Sequence, residues 1–129
     1  MGLSVYIHLP YCRRRCSYCD FNTSAPRTFP ENSYIDTVLH EMERAAHSPA
    51  WRERVVSTVF FGGGTPSLFS PRSIERLLEG LADVFGIDKG AEITLEANPG
   101  TLEGGASQRL LGFRQAGVTR LSLGCQSFN

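Results

Sequence analysis

Cys12, Cys16 and Cys19 share one short stretch, Pro10-Tyr-Cys-Arg-Arg-Arg-Cys-Ser-Tyr-Cys-Asp20. This C-x3-C-x2-C spacing offers three thiolates from a single loop, with no fourth ligand nearby. Such a donor set suits either a structural zinc completed by a distant ligand, His8 or Cys125, or an iron-sulfur cluster with one iron left open. Structural zinc sites usually take their ligands as two pairs, so an unpaired triplet leans toward the cluster while leaving zinc as the alternative. Arg13, Arg14 and Arg15 read as a solvated turn, although their charge could also lower thiolate pKa values or offset a negative cluster. Cys125, between Gly124 and Gln126 in an apolar run, reads as a small buried hydrophobe and not as a ligand. His8 reads as a hydrogen-bonded histidine facing the interior.

Those residues must be positioned by regular elements, and the hydrophobic pattern supplies them. Ser4 to Leu9 is a short apolar run closed by Pro10, a first strand with the cysteine loop at its end. Ser33, with Asp36 three residues on, predicts the start of a helix whose apolar positions are Tyr34, Ile35, Val38, Leu39, Met42 and Ala46. Val55 to Phe61 is β-branched and aromatic, a second strand running into Gly62-Gly-Gly-Thr-Pro66. Ser70-Pro71 predicts a capped helix with the stripe Ile74, Leu77, Leu78, Leu81 and Phe85, stopped by Gly86. Glu92 to Ala97 is a third strand. Ala106 to Ala116 is a weaker helix with Leu110, Leu111 and Phe113 inward, ending at Gly117. Arg120 to Cys125 is a fourth strand.

This order defines an α/β fold, a parallel βαβαβαβ unit, and a fourth strand left bare at the end suggests the N-terminal portion of a larger barrel. Parallel α/β folds gather ligand sites at the carboxyl ends of their strands. The cysteine loop, the triple glycine, Glu96 and Gln126 all fall at that rim. The glycines either form a tight turn after the strand or let a ligand approach the backbone closely. Glu96 on its own reads as a solvated strand-end charge, although a carboxylate there could accept hydrogen bonds from ribose hydroxyls, and Gln126 is either an ordinary strand-end amide or a contact that offers donor and acceptor together.

Bulk properties narrow the classes. The 129 residues are 41% hydrophobic, as expected for one domain or a piece of one. Thirteen basic residues balance thirteen acidic ones, which gives no global field for nucleic acid or an anionic membrane. Without an apolar run of about 18 residues or room for a signal peptide, the expectation is a cytoplasmic protein without a membrane span. Clustered cysteines in that setting argue for metal or redox chemistry and against a disulfide framework.

The strand and its cysteine loop resemble the signature of the radical S-adenosylmethionine (SAM) superfamily. Tyr6-Ile-His-Leu-Pro-Tyr-Cys12, Cys19-Asp-Phe21, Phe61-Gly-Gly-Gly-Thr-Pro-Ser67, Leu95-Glu-Ala-Asn-Pro99 and Gly117 to Gly124 with Gln126-Ser-Phe-Asn129 are similar to the branch containing oxygen-independent coproporphyrinogen III oxidases and HemW-like haem chaperones. The resemblance implies the N-terminal part of a single radical SAM core domain over 1–129, a partial (β/α) TIM-like barrel. It implies a [4Fe-4S] cluster on Cys12, Cys16 and Cys19, with the fourth iron chelated by S-adenosyl-L-methionine. The SAM contacts would fall on Tyr6, Tyr18, Gly63, Gly64, Thr65, Glu96 and Gln126. Phe21 stands where the oxidase pattern has a further cysteine, and the N-terminal extension of the oxidases is lacking, so the chaperone side is favoured. Its expected partners are haem or a porphyrin and a haem-acceptor protein. The haem motif of that group belongs to a C-terminal half outside these residues.

Overall fold

In the computed structural model, residues 2–12, 29–102 and 105–124 are described. Cys16, Tyr18, Cys19, Cys125 and Gln126, together with Arg13 to Arg15 and Phe21, lie outside the described residues. The element order is β1 (Leu3–Leu9), α1 (Glu31–Ala46), β2 (Val56–Gly63), α2 (Pro71–Phe85), β3 (Ile87–Ala97), α3 (Ala106–Ala116) and β4 (Arg120–Leu123). The four strands form one parallel sheet in the order β1-β2-β3-β4. This is the expected βαβαβαβ unit.

Alternation along the strands gives the sheet two unlike faces. One row in register, Ile7, Phe61, Leu95 and Leu121, faces the helices. Ile7, Phe61 and Leu95 are buried there with Leu9, Val59 and Ile93 against Ile35 and Met42 of α1 and Ile74, Leu77, Leu78 and Leu81 of α2. The neighbouring row, Tyr6, Phe60, Thr94 and Arg120, lies on the opposite, open face. At the β4 edge even the helix-side positions Leu121 and Leu123 are exposed.

Helix boundaries follow local chemistry, with two corrections. The α2 cap is as expected: the Ser70 hydroxyl accepts from the Ser73 N–H, Pro71 fills the first turn, and Gly86 leaves the helix at φ +76°. In α1, Ser33 is not the cap. The helix starts at Glu31 behind Pro30, which has no capping side chain. The Glu31 carboxylate instead crosses to α2, accepting from Ser70 N at 2.7 Å and Ser73 Oγ at 2.6 Å. An acidic group there also complements the partial positive charge of a helix N-terminus. Leu111, expected inward, is exposed, while Phe113 is buried and Leu110 packs at the core margin. The α3 stripe was thus one residue too wide. β2 continues into the glycines, and β3 begins at Ile87, which pairs with Val56 before an irregularity, after which the register resumes at Thr58 and Glu92.

Candidate functional site

The carboxyl end of β1 is bound to the loop that follows β2. Gly64 N–H donates to the Leu9 carbonyl at 2.9 Å, and Thr65 N–H to the Tyr11 carbonyl at 2.8 Å. These bonds draw the entry to the cysteine loop down onto the glycine loop. A side chain at Gly64 would prevent it: a Cβ there would stand 2.6 Å from Tyr11 O and 2.8 Å from Cys12 Sγ. Gly63 sits at φ +121°, which favours glycine, beneath the His8 ring, and Tyr6 lies across Gly62. The triple glycine therefore serves contact between two loops. The Gly64 and Thr65 donors that a ligand might have used are committed to Leu9 and Tyr11; what these residues offer a ligand is surface.

Gly64, Thr65 and Pro66 form one wall of a cleft of about 220 Å³, Glu96, Ala97 and Asn98 its floor, and Ser122, Leu123 and Gly124 its other side. It lies across the carboxyl ends of β2, β3 and β4, the place that a parallel sheet predicts for a ligand. The walls are held from behind. Ser67 is fully buried; its hydroxyl bonds Thr101 Oγ1 at 2.5 Å and accepts from Asn98 N–H at 3.2 Å, joining the loops after β2 and β3. Arg109 of α3 donates to the carbonyls of Ser67 and Phe69, at 2.6 Å and 3.0 Å from Nη2.

Glu96 points to the open face, opposite buried Leu95. Burial pushes its carboxyl pKa above the ordinary value, opposed by a hydrogen bond from the Gly63 backbone and by His8. The Tyr6 phenol is also raised, first by desolvation and then by the nearby Glu96 charge. Tyr6 stacks on Phe60 with centroids 6.0 Å apart, and its hydroxyl lies 3.2 Å from His8 Nδ1. His8 is thus hydrogen-bonded but half-buried on the open face of the sheet, not packed in the helix-side core.

Of the residues expected at the site, Tyr6, Cys12, Gly63, Gly64, Thr65 and Glu96 come together at one end of the sheet. Tyr18, Cys16, Cys19 and Gln126 lie outside the described residues. Asn98 and Ser122 also line the cleft and went unnoticed in the sequence. Asn98 was hidden in a strand-ending turn, and Ser122 is the polar position between two leucines, a signal present but short. Among the described residues no group of three metal-binding side chains occurs, since two of the three clustered cysteines lie outside them. The chemistry of the donor set nevertheless fits a metal cluster: half-buried Cys12 stands beside a glycine cradle that a Cβ would fill.

A parallel α/β sheet in which the end of β1, the glycine loop and Glu96 meet at one rim has the architecture of the first part of a (β/α) barrel. The family model described as the Radical SAM superfamily matches residues 6–129, and the chain belongs to that superfamily. Among curated relatives, the heme chaperone HemW of Haemophilus influenzae is 43% identical over 98% of this chain and 33% of its own length. HemW of Escherichia coli is 42% identical, with 98% and 32% covered. The mitochondrial radical S-adenosyl methionine domain-containing protein 1 of Bos taurus is 42% identical, with 98% and 27% covered. Among solved structures, the coproporphyrinogen III oxidase HemN of Escherichia coli, a radical SAM enzyme, superposes with a TM-score of 0.86 at 33% identity, over 99% of this chain and 29% of that one. The chain spans about a third of the length of the curated relatives it matches. No helix among the described residues is long and apolar enough to cross a membrane.

Proposed function

We propose that this chain carries the cluster- and SAM-binding part of a HemW-like haem chaperone, with Cys12, Cys16 and Cys19 as the ligands of a [4Fe-4S] cluster. The observation that carries the reading is the seating of Cys12 on Gly64, whose loop shares a cleft with Glu96. In this reading residues 1–129 are the N-terminal part of one radical SAM core domain. When bound, the cluster and SAM supply one-electron chemistry that no side chain offers.

The chain's own residues bind and orient. Glu96, steadied by the Gly63 N–H, accepts hydrogen bonds from ribose hydroxyls. Gly63, Gly64 and Thr65 contribute the close wall, Tyr6 the aromatic side toward the open face, and Tyr18 and Gln126 complete the contact set. Haem or a porphyrin and a haem-acceptor protein are the partners of the full-length protein, in the cytoplasm. The printed name of the relatives at 42–43% identity supports the chaperone reading. The likeness to HemN supports a second one, oxidative decarboxylation of a porphyrinogen.

Anaerobic reconstitution with iron and sulfide tests the cofactor reading. Uptake of four irons with a broad visible absorption is expected. Tight zinc uptake without that absorption would replace the cluster with a zinc-stabilised interaction module. The full-length protein should transfer haem to an acceptor without decarboxylating coproporphyrinogen; the reverse result would make it an oxidase.

A further inference from the structure

The cysteine loop leaves the sheet at Tyr11 and rejoins the described chain at Phe29, and these two residues are stacked. Their ring centroids are 4.9 Å apart at an interplanar angle of 19°. Phe69, which follows the glycine loop, is fully buried against both, at 6.2 Å from Tyr11 and 5.1 Å from Phe29. Tyr34 of α1 meets Tyr11 edge-on at 5.5 Å and anchors itself by donating its hydroxyl to the His8 carbonyl at 2.5 Å. Burial raises the Tyr34 pKa above its ordinary value. Two polar ties flank the rings, Thr65 N–H to the Tyr11 carbonyl and Glu31 to Ser70 and Ser73.

We infer that Tyr11, Phe29, Phe69 and Tyr34 form an aromatic neck that positions Cys12 and keeps water from its side of the cofactor. Closing a chain segment costs conformational entropy, and a stacked pair at its two ends offsets that cost where the first thiolate emerges. The neck also supplies an apolar wall one residue from Cys12. Reducing a thiolate-bound cluster adds negative charge, and a dry wall disfavours the more highly charged state. Iron-sulfur potentials depend on solvent exposure in this way. The four rings are therefore positioning residues: they act on the cofactor through Cys12 and through the water they exclude. The inference rests on the cluster reading above.

The test compares reconstituted full chains carrying Tyr11→Ala, Tyr11→Phe, Phe29→Ala or Phe29→Leu with wild type. The midpoint potential is read by EPR-monitored redox titration, and cluster retention by the rate of iron loss to a ferrous chelator. Both alanine variants should show a more positive potential and iron loss about fivefold faster, the scale of one lost aromatic pair. Tyr11→Phe keeps the ring and should match wild type, while Phe29→Leu should fall between. Potentials and release rates equal to wild type in Tyr11→Ala and Phe29→Ala would overturn the neck. If those chains fail to fold, as judged by circular dichroism, Phe29→Leu decides: a shift in the same direction supports the neck, and none overturns it. A wild-type chain that takes up no cluster would overturn the cofactor reading itself, and the neck with it.

Discussion

On its helix side, the sheet buries Ile7, Leu9, Val59, Phe61, Ile93 and Leu95 against the apolar stripes of α1 and α2. On the other side the same strands present Tyr6, His8, Phe60 and Glu96, rings and polar groups that keep partial access to solvent. The first face follows the ordinary logic of apolar burial. The second carries an arrangement that burial alone does not explain: a carboxylate with a raised pKa, a phenol raised beside it, and a glycine that no side chain could replace without moving Cys12. Strand alternation lets one backbone keep stability and chemistry apart. Substitutions can then be sorted by face.

The largest effect should come from the rim. Cys16→Ala is expected to abolish cluster loading in the reconstituted protein, read by iron and sulfide content, while Cys125→Ala loads as wild type; equal losses would break the ligand assignment. On the helix side, Phe61→Ala removes a fully buried ring and should cost about 3–5 kcal/mol in denaturant unfolding. Gly64→Ala tests the meeting of the two regions. Its Cβ has backbone atoms of Pro10 and Tyr11 within 2.8 Å, so the cysteine strand must shift, at about 1–3 kcal/mol, with weakened cluster retention as the second readout.

The smallest effect on stability belongs to Glu96. Burial holds its folded pKa above the ordinary carboxylate value, so the charged form is disfavoured by folding. Stability should therefore be lower above the raised pKa and recover as pH falls through it toward the ordinary carboxylate range, by less than about 1 kcal/mol because the half-buried group keeps access to screening solvent. Glu96→Gln should flatten that dependence in unfolding experiments across pH, and should weaken SAM binding in titration calorimetry. Unchanged affinity would move the ribose contact elsewhere.

The fold was legible because its signals were long and redundant. The α2 stripe with Ser70-Pro71 before it and Gly86 after it agrees at every level, and each strand ends in a turn residue. The errors came where tertiary contacts outweigh local pattern. Glu31 serves α2 across space, so Ser33 looked like the better start for α1. Leu111 completed a stripe in sequence that no neighbour covers. In the candidate site, Cys12 was recognisable from the cysteine spacing, and Glu96, by itself a solvated strand-end charge, only through the family resemblance. The binding of Gly64 to the cysteine strand was not, because a glycine's reason for being small is the atom it meets. Nor was the aromatic neck, whose two halves are separated by the cysteine loop.

The proposed function requires this rim to hold a cluster with one iron open to SAM. EPR spectra of the reduced, reconstituted protein before and after addition of SAM test it most directly. A four-iron signal is expected whose g-values change when SAM binds, and change less readily in Glu96→Gln. A four-iron signal that SAM leaves untouched at saturating concentration would contradict it.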